Sequence, residues 1–219
     1  MKSVMTKRLV VNAIASALLL VSLSACIPLV VGGAMVGGTL VASDRRTSGA
    51  QLEDEGIELR STSRIRSNIG DRVHVNVNSY NRQVLLTGEV PTAQDKLLVE
   101  QIVARVENVS SVVNELAVMG NSSLTQRSSD VLVTGRVRAL LVDAKDLFAN
   151  SFRVVTERGT TYLMGRVTQR EADRGTEVVR GTPGVQKVVR IFEIISEEEL
   201  ARQLPSPAKP PVAPKPAGS

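Results

Sequence analysis

Two stretches of this 219-residue chain repeat each other, and the repeat limits what the chain can fold into more than any other feature. Gly88 in Val84-Leu85-Leu86-Thr87-Gly88-Glu89-Val90 recurs 77 positions later as Gly165 in Thr161-Tyr162-Leu163-Met164-Gly165-Arg166-Val167. Upstream of the first glycine, Val75 and Val77 alternate with Asn76 and Asn78 before a polar turn at Asn81-Arg82. Upstream of the second, Phe152 and Val154 precede Arg158-Gly159. Period-two alternation around a polar turn predicts a β-hairpin in each copy. Copy one has Arg82 where copy two has Gly159, so a wider turn is expected in copy one.

A helix start follows each hairpin, at Thr92-Ala93-Gln94-Asp95 and at Thr168-Gln169-Arg170-Glu171. The second fits a capping box, in which the hydroxyl satisfies a backbone N–H and the carboxylate reaches back; the first approximates it. Val99, Ile102, Val103 and Val106 then make an apolar stripe at helical spacing, and Gly181 and Pro183 end the second helix. Val109–Val113 and Val185–Val189 read as closing strands, the latter running on to Ile195. Another helix precedes each hairpin, where Ser63-Arg64-Ile65-Arg66-Ser67 lines up with Gly135-Arg136-Val137-Arg138-Ala139. The fold class is therefore α+β, with two tandem α-β-β-α-β units, each a three-stranded mixed sheet with both helices on one face. The expected boundaries are 51–119 and 129–196, joined by a linker at 120–128.

The ends differ in kind from the middle. Lys2, Lys7 and Arg8 precede an apolar run from Leu9 to Val21, and Leu23-Ser24-Ala25-Cys26 follows, which is the order of a secretory signal over residues 1–25. The only cysteine of the chain ends that stretch, and the arrangement resembles a lipobox, in which Cys26 is acylated and becomes the first residue of the mature protein. By resemblance to lipoprotein sorting in enteric bacteria, Ile27 rather than Asp after the cysteine favours the outer membrane, with the domains facing the periplasm. Residues 26–50 read as the lipidated cysteine and a Gly-rich linker, and six of the nine prolines fall between Pro205 and Pro216 in a tail, 197–219, expected to be extended and disordered.

Composition excludes more than it names. The chain has one histidine, His74, no tryptophan and no second cysteine, so metal sites, His-dependent triads and an intrachain disulfide lack raw material. No enzyme, no metal and no cofactor beyond the covalent lipid on Cys26 is expected. The formal charge of +5 includes Lys2, Lys7 and Arg8 of the signal; without them the count is +2, which removes the case for nucleic acid. His74, at the start of a strand, reads as a surface residue.

The order of elements, the Leu-x-Gly-x-Val strand end, the Thr-x-x-Glu helix start and the Gly-Val-x-x-Val-Val entry to the last strand resemble the BON domain. With the lipobox and the Asp44-Arg45-Arg46-Thr47 segment, the chain from Cys26 to about Ser196 is similar to dual BON-domain lipoproteins. That resemblance implies a non-enzymatic envelope protein that supports outer-membrane integrity and binds anionic phospholipid through its second domain. It also implies association with division sites and the outer-membrane protein assembly machinery.

The two copies differ in a way that bears on this. In the first helix of copy two, Val133, Val137, Leu140, Leu141 and Ala144 suit a core, yet Val131, Leu132, Ala139 and Val142 project from the other side. In copy one, Arg60 and Ser67 stand for Leu132 and Ala139, and Glu53, Asp54, Glu55 and Glu58 precede them, so that face is expected to be wet. Residues 51–119 carry a net −3 and residues 127–196 a net +4. Apolar side chains that insert while basic ones meet headgroups make a peripheral membrane binder. The candidate lipid-binding residues are Val131, Leu132, Gly135, Arg136, Arg138, Ala139, Val142 and Lys145. Two other readings of the same face stay open: Leu132 and Val142 as a seam against copy one, and a docking module for envelope assembly proteins.

Overall fold

A computed structural model describes residues 44–203. The signal sequence, Cys26, the Gly-rich stretch as far as residue 43 and the Pro-rich end from residue 204 lie outside the described residues.

Each copy is the expected α-β-β-α-β unit. The first comprises α1 (Ser48–Ile69), β1 (His74–Tyr80), β2 (Gln83–Val90), α2 (Ala93–Ala104), β3 (Ser111–Asn114) and the two-residue β4 (Ala117–Val118). The second comprises α3 (Leu124–Asp143), β5 (Arg153–Glu157), β6 (Thr160–Val167), α4 (Gln169–Arg180) and β7 (Lys187–Ile194), followed by a short α5 (Glu197–Gln203). In both sheets the middle strand pairs antiparallel with the hairpin partner and parallel with the strand that returns through the helix. The predicted hydroxyl caps are present: Thr92 accepts from the Asp95 amide, and Thr168 with Glu171 closes a full capping box.

Three boundaries differ from the sequence reading. α1 begins at Ser48, α3 at Leu124 within the expected linker, and α5 occupies the start of the expected tail. Thr47 and Ser123 cap α1 and α3 by accepting from Ala50 and Gln126, and the Ser196 hydroxyl accepts from the Glu199 amide. Each boundary is thus set by a serine or threonine three positions before the donor, a local signal that the apolar period does not carry.

The hairpin turns are alike. Asn81 and Arg82 sit at φ 49° and 68°, and Arg158 and Gly159 at 49° and 71°, so copy one makes the same two-residue turn without a glycine. The expected widening is absent because a buried aspartate holds each turn. Asp54 accepts from the Asn81 and Arg82 amides at 2.7 and 2.8 Å, and Asp130 from those of Arg158 and Gly159 at 2.8 and 3.0 Å. The paired aspartates also correct the helix alignment. Asp54 corresponds to Asp130, and Ile57 to Val133 in the two cores, so the Arg-x-Arg match is one helical turn out of register. A shift of about one turn keeps every residue near its original face, and apolar periodicity alone is nearly blind to it.

The shared glycines are required by close approach. A Cβ on Gly88 would lie 2.1 Å from the His74 carbonyl oxygen, and one on Gly165 would lie 2.3 Å from that of Ser151.

Each sheet buries two faces. One packs under its own helices, with Ile57, Ile65, Val84, Leu86, Val99 and Val103 central in the first domain and Val137, Leu141, Leu163, Val167 and Val179 in the second. The opposite faces meet each other through Tyr80, Leu85, Tyr162, Met164 and Ile191. The seam between domains is therefore sheet against sheet and not the 131–142 helix face. It also corrects the reading of His74. Its Nδ1 lies 2.8 Å from Oε2 of the fully buried Glu89, and Asn76, on the same face of β1, donates to Glu157 across the seam at 2.9 Å. The polar half of the Val-Asn-Val-Asn alternation faces the other domain instead of water. Burial pushes the Glu157 carboxyl up, with the Glu89 charge adding to the effect.

A strap ahead of α1 ties the two domains together. Arg45 forms a bidentate pair with Glu171 of the second domain at 2.7 and 2.7 Å and donates to the Arg166 carbonyl at 3.0 Å. Arg46 pairs with Asp54 of the first domain at 2.7 Å and with Asp44, and its guanidinium lies 4.1 Å from the Tyr80 ring centre. Burial alone would raise the Glu171 carboxyl, but the Arg45 guanidinium and the Thr168 amide hold it below the ordinary carboxylate range. Asp54 is held low in the same way, against burial, by Ser79, the turn amides and Arg46.

Removing one partner of a buried pair leaves a charge without solvent or counter-ion, so Arg45→Ala is expected to lower stability by about 3–5 kcal/mol, read from the urea midpoint. The Glu171 pair also predicts a pH dependence. A carboxyl whose folded value is depressed contributes stability above the ordinary value of 4.5, and that contribution is lost as pH falls through the folded value. The stability gap between the parent chain and Glu171→Gln should therefore narrow below pH 4.5, and a gap that stays constant would show that the carboxylate is not held ionised.

Candidate functional site

The helix α3 buries Asp130, Val133, Val137 and Leu141 and turns its other side outward. At 3.6 residues per turn, Val131, Gly135, Arg138 and Val142 fall on one stripe, with Leu132 and Ala139 along its edge. All six are exposed, and the three large apolar side chains, Val131, Leu132 and Val142, are between 62% and 70% accessible. Arg136 lies on the far flank of Leu132 and donates to the Pro183 carbonyl at 3.4 Å. Lys145 is exposed just past the C-cap Ala144, off the helix. Leu140, expected in the core, is 39% exposed, about 60° and 100° around the helix from Val137 and Leu141.

The structure extends the stripe beyond the residues read from sequence. Leu124, the first residue of α3, is 79% exposed two turns before Val131, and Arg127 lies beside Arg138 on the near edge. Both were hidden by drawing residues 120–128 as linker. The signal that would have found them is Ser123-Leu124-Thr125-Gln126, a capping serine followed at the third place by glutamine.

The electrostatics follow the same geometry. Arg127 bonds the Ser122 hydroxyl, Arg136 the Pro183 carbonyl and Arg138 the Val154 carbonyl, and none of the three pairs with a carboxylate among the described residues. In the first domain Arg60 and Arg64 pair with Glu107, Arg66 with Asp71 and Arg72 with Asp95. Positive charge left uncompensated thus lines the exposed stripe of α3, while the matching helix is neutralised from within.

With the register corrected, Glu55, Gly56, Leu59, Ser63 and Arg66 of α1 stand where Val131, Leu132, Gly135, Ala139 and Val142 stand on α3. The contrast between copies holds at every one of these positions except Leu59, which is 67% exposed. Leu52, two turns earlier on α1, is exposed as well, so the outer face of copy one is less uniformly wet than its acidic residues imply. Among the described residues no cluster suits a metal ion, and no helix is long and apolar enough to cross a membrane.

The sequence profile of the BON domain matches residues 54–120 and 129–195. The chain is 34% identical over 176 residues to the outer membrane lipoprotein DolP of Haemophilus influenzae, covering 79% of this chain and 90% of that protein. It is 29% identical over 154 residues to a 21 kDa hemolysin of Actinobacillus pleuropneumoniae, covering 69% of this chain and 79% of that one. The C-terminal domain of CdsD, a structural protein of the type III secretion system of Chlamydia trachomatis, overlays with a TM-score of 0.28 at 14% identity over 69% of this chain and 100% of that one, a likeness too slight to bear on the fold.

Gly135 is a weak point in the stripe that can be tested alone. A Cβ there would meet nothing within 4 Å, and an interior helical glycine costs about 1 kcal/mol relative to alanine. Gly135→Ala should therefore raise stability by about 0.5–1 kcal/mol in thermal melts. A lower melting temperature would show that the backbone at this position already touches something.

Proposed function

Because the chain belongs to the BON-domain family, as an envelope-associated protein with two BON domains of the DolP type, we propose that it is a non-enzymatic outer-membrane lipoprotein. In this reading Cys26 carries the lipid, the domains face the periplasm, and α3 of the second domain binds anionic phospholipid in support of outer-membrane integrity. The observation that carries it is the stripe itself: large apolar side chains more than half exposed, edged by three arginines without carboxylate partners among the described residues.

The magnitudes fit a binder that needs its tether. Partial insertion of three aliphatic side chains contributes on the order of 1 kcal/mol each, and a basic residue beside an anionic surface about the same. The total, roughly 6 kcal/mol, corresponds to tens of micromolar, similar to one acyl chain. A lipid on Cys26 turns that weak contact into an intramolecular one. Seventeen residues separate Cys26 from Asp44, so the strap stays within about 60 Å of the anchoring leaflet.

Leu132→Glu removes an apolar contact and adds a like charge to the lipid. It is expected to weaken cosedimentation of the non-acylated chain with phosphatidylglycerol vesicles by more than about tenfold while leaving the melting temperature in place. Binding that survives this change takes α3 out of the argument. A photocrosslinker at position 132 gives lipid adducts if the face meets the bilayer, and a discrete protein adduct in cells would favour the docking-adaptor reading instead.

A further inference from the structure

Each of the two sheets leaves a strand edge on the same side of the molecule. β1 pairs only with β2 and β5 only with β6, so the outer edge of each has no strand neighbour among the described residues. The two edges run antiparallel to one another, because Asn76 reaches Glu157 while Arg153 reaches the Asn78 side chain and the Ser79 carbonyl. A cavity of about 830 Å³ lies along both, touching residues 74–78 of β1 and 154–157 of β5 in unbroken succession. Side chains alternate faces along a strand, so a void that meets successive residues follows the edge and not a face. Thr62 of α1 walls it on one side, and Thr134 and Gly135 of α3 on the other.

The turns fix which backbone groups reach that void. A two-residue turn makes Tyr80 with Gln83, and Glu157 with Thr160, hydrogen-bonded pairs, and bonded and unbonded pairs alternate from there. Ser79, Val77 and Val75 of β1, and Thr156 and Val154 of β5, therefore turn their N–H and C=O groups outward. Part of this edge is closed by side chains. Glu58 accepts from the Ser79 amide at 2.7 Å, Arg153 donates to the Ser79 carbonyl at 3.3 Å, and Arg138 donates to the Val154 carbonyl at 3.4 Å. Val75, Val77 and Thr156 have no such cover among the described residues. Charged side chains commonly blunt an edge against added strands, and on β1 that blunting stops at Ser79.

We propose that this groove takes an extended, acidic segment of another polypeptide, which adds to the first sheet as a strand along Val75 and Val77. The spacing of the open groups argues for a backbone. Donors and acceptors recur at every second residue, about 7 Å apart, a repeat that an extended chain matches and a compact solute does not. The charge argues for the acid. Arg127 and Arg138 stand on the α3 wall without carboxylate partners among the described residues. The acids of the groove are already committed, Asp130 to the Arg158 and Gly159 amides and Glu157 to Asn76, while His74 is held by Glu89. A carboxylate on the bound segment therefore meets two open guanidinium groups. The proposal does not rest on the membrane reading, although Arg127, Val131 and Arg138 serve both, so segment and bilayer compete for one side of α3.

The test titrates the non-acylated chain, free of lipid, with capped hexapeptides that alternate valine and threonine and carry one glutamate moved through each position. At least one of them is expected to bind below about 1 mM, with saturable amide shifts and slowed hydrogen exchange at Val75 and Val77. Methylating one set of alternate peptide nitrogens should weaken that binding by more than about tenfold, and methylating the other set by less than about twofold, because a strand offers only one edge to its neighbour. This arm leaves the protein untouched and so does not depend on any variant folding. Thr62→Trp obstructs the groove from an exposed position on α1; it should abolish the protection while vesicle cosedimentation changes by less than about twofold. No binding by any of the peptides below about 1 mM, or equal weakening by both methylated sets, overturns the proposal and leaves the membrane reading standing. Protection of the same amides by soluble dihexanoyl phosphatidylglycerol in place of peptide would make the groove a lipid site and overturn it as well.

Discussion

Two neighbouring arginines in the strap enter buried carboxylates of different domains, and much of the arrangement follows from that constraint. Arg45 is committed to Glu171 and Arg46 to Asp54, so the backbone between them, one peptide long, is fixed to both units at once. Each carboxylate also has a local duty: Glu171 closes the cap of α4, and Asp54 gathers the turn amides of the first hairpin. An unpaired carboxylate in either place would stay buried at a cost of several kcal/mol, which makes the strap part of the folded unit rather than a leader to it. The domains consequently share one polar hinge point in addition to their apolar seam.

That seam decides what remains available for function. Because the two sheets use their second faces on each other, neither domain needs a helix surface for contact with its twin. Among the described residues nothing covers the outer side of α3, and its apolar residues have no packing partner there. Had Leu132 and Val142 packed against copy one, the polar face of β1 would have been free to meet water. The structure places the polar residues inside and the apolar ones outside, the reverse of what solubility alone would choose.

The sequence exposed elements and their order well, because strand alternation, hydroxyl caps and the repeated glycines are local signals with local causes. It was misleading wherever a second domain changed the meaning of a pattern. His74 looked like a surface residue because alternation reports two faces and not what covers them. Asp54 passed as an ordinary helix acid and Asp130 drew no reading, since nothing in a helix period shows that a carboxylate reaches a turn 27 or 28 residues later. The Arg-x-Arg match was drawn one turn out of register for the same reason. Of the candidate site, the residues from Val131 to Val142 were legible as an apolar excess on a helix, while Leu124 and Arg127 were lost with a helix start placed too late.

In the proposed reading a lipid on Cys26 tethers the chain, and a weak stripe is consistent with that. An aliphatic face without tryptophan or tyrosine gives little interfacial affinity, and three arginines add a contribution that salt screens. A free protein with such a face would leave the membrane readily. A chain held by its first mature residue requires less, because the helix then selects an orientation rather than a compartment, and a modest contact that can open and close leaves α3 exchangeable between lipid and other surfaces. On this account a stronger anchor would be a disadvantage: a helix locked into the bilayer would hold the strap and both domains in one pose, whereas a contact of a few kcal/mol lets local lipid charge set how often that pose is occupied.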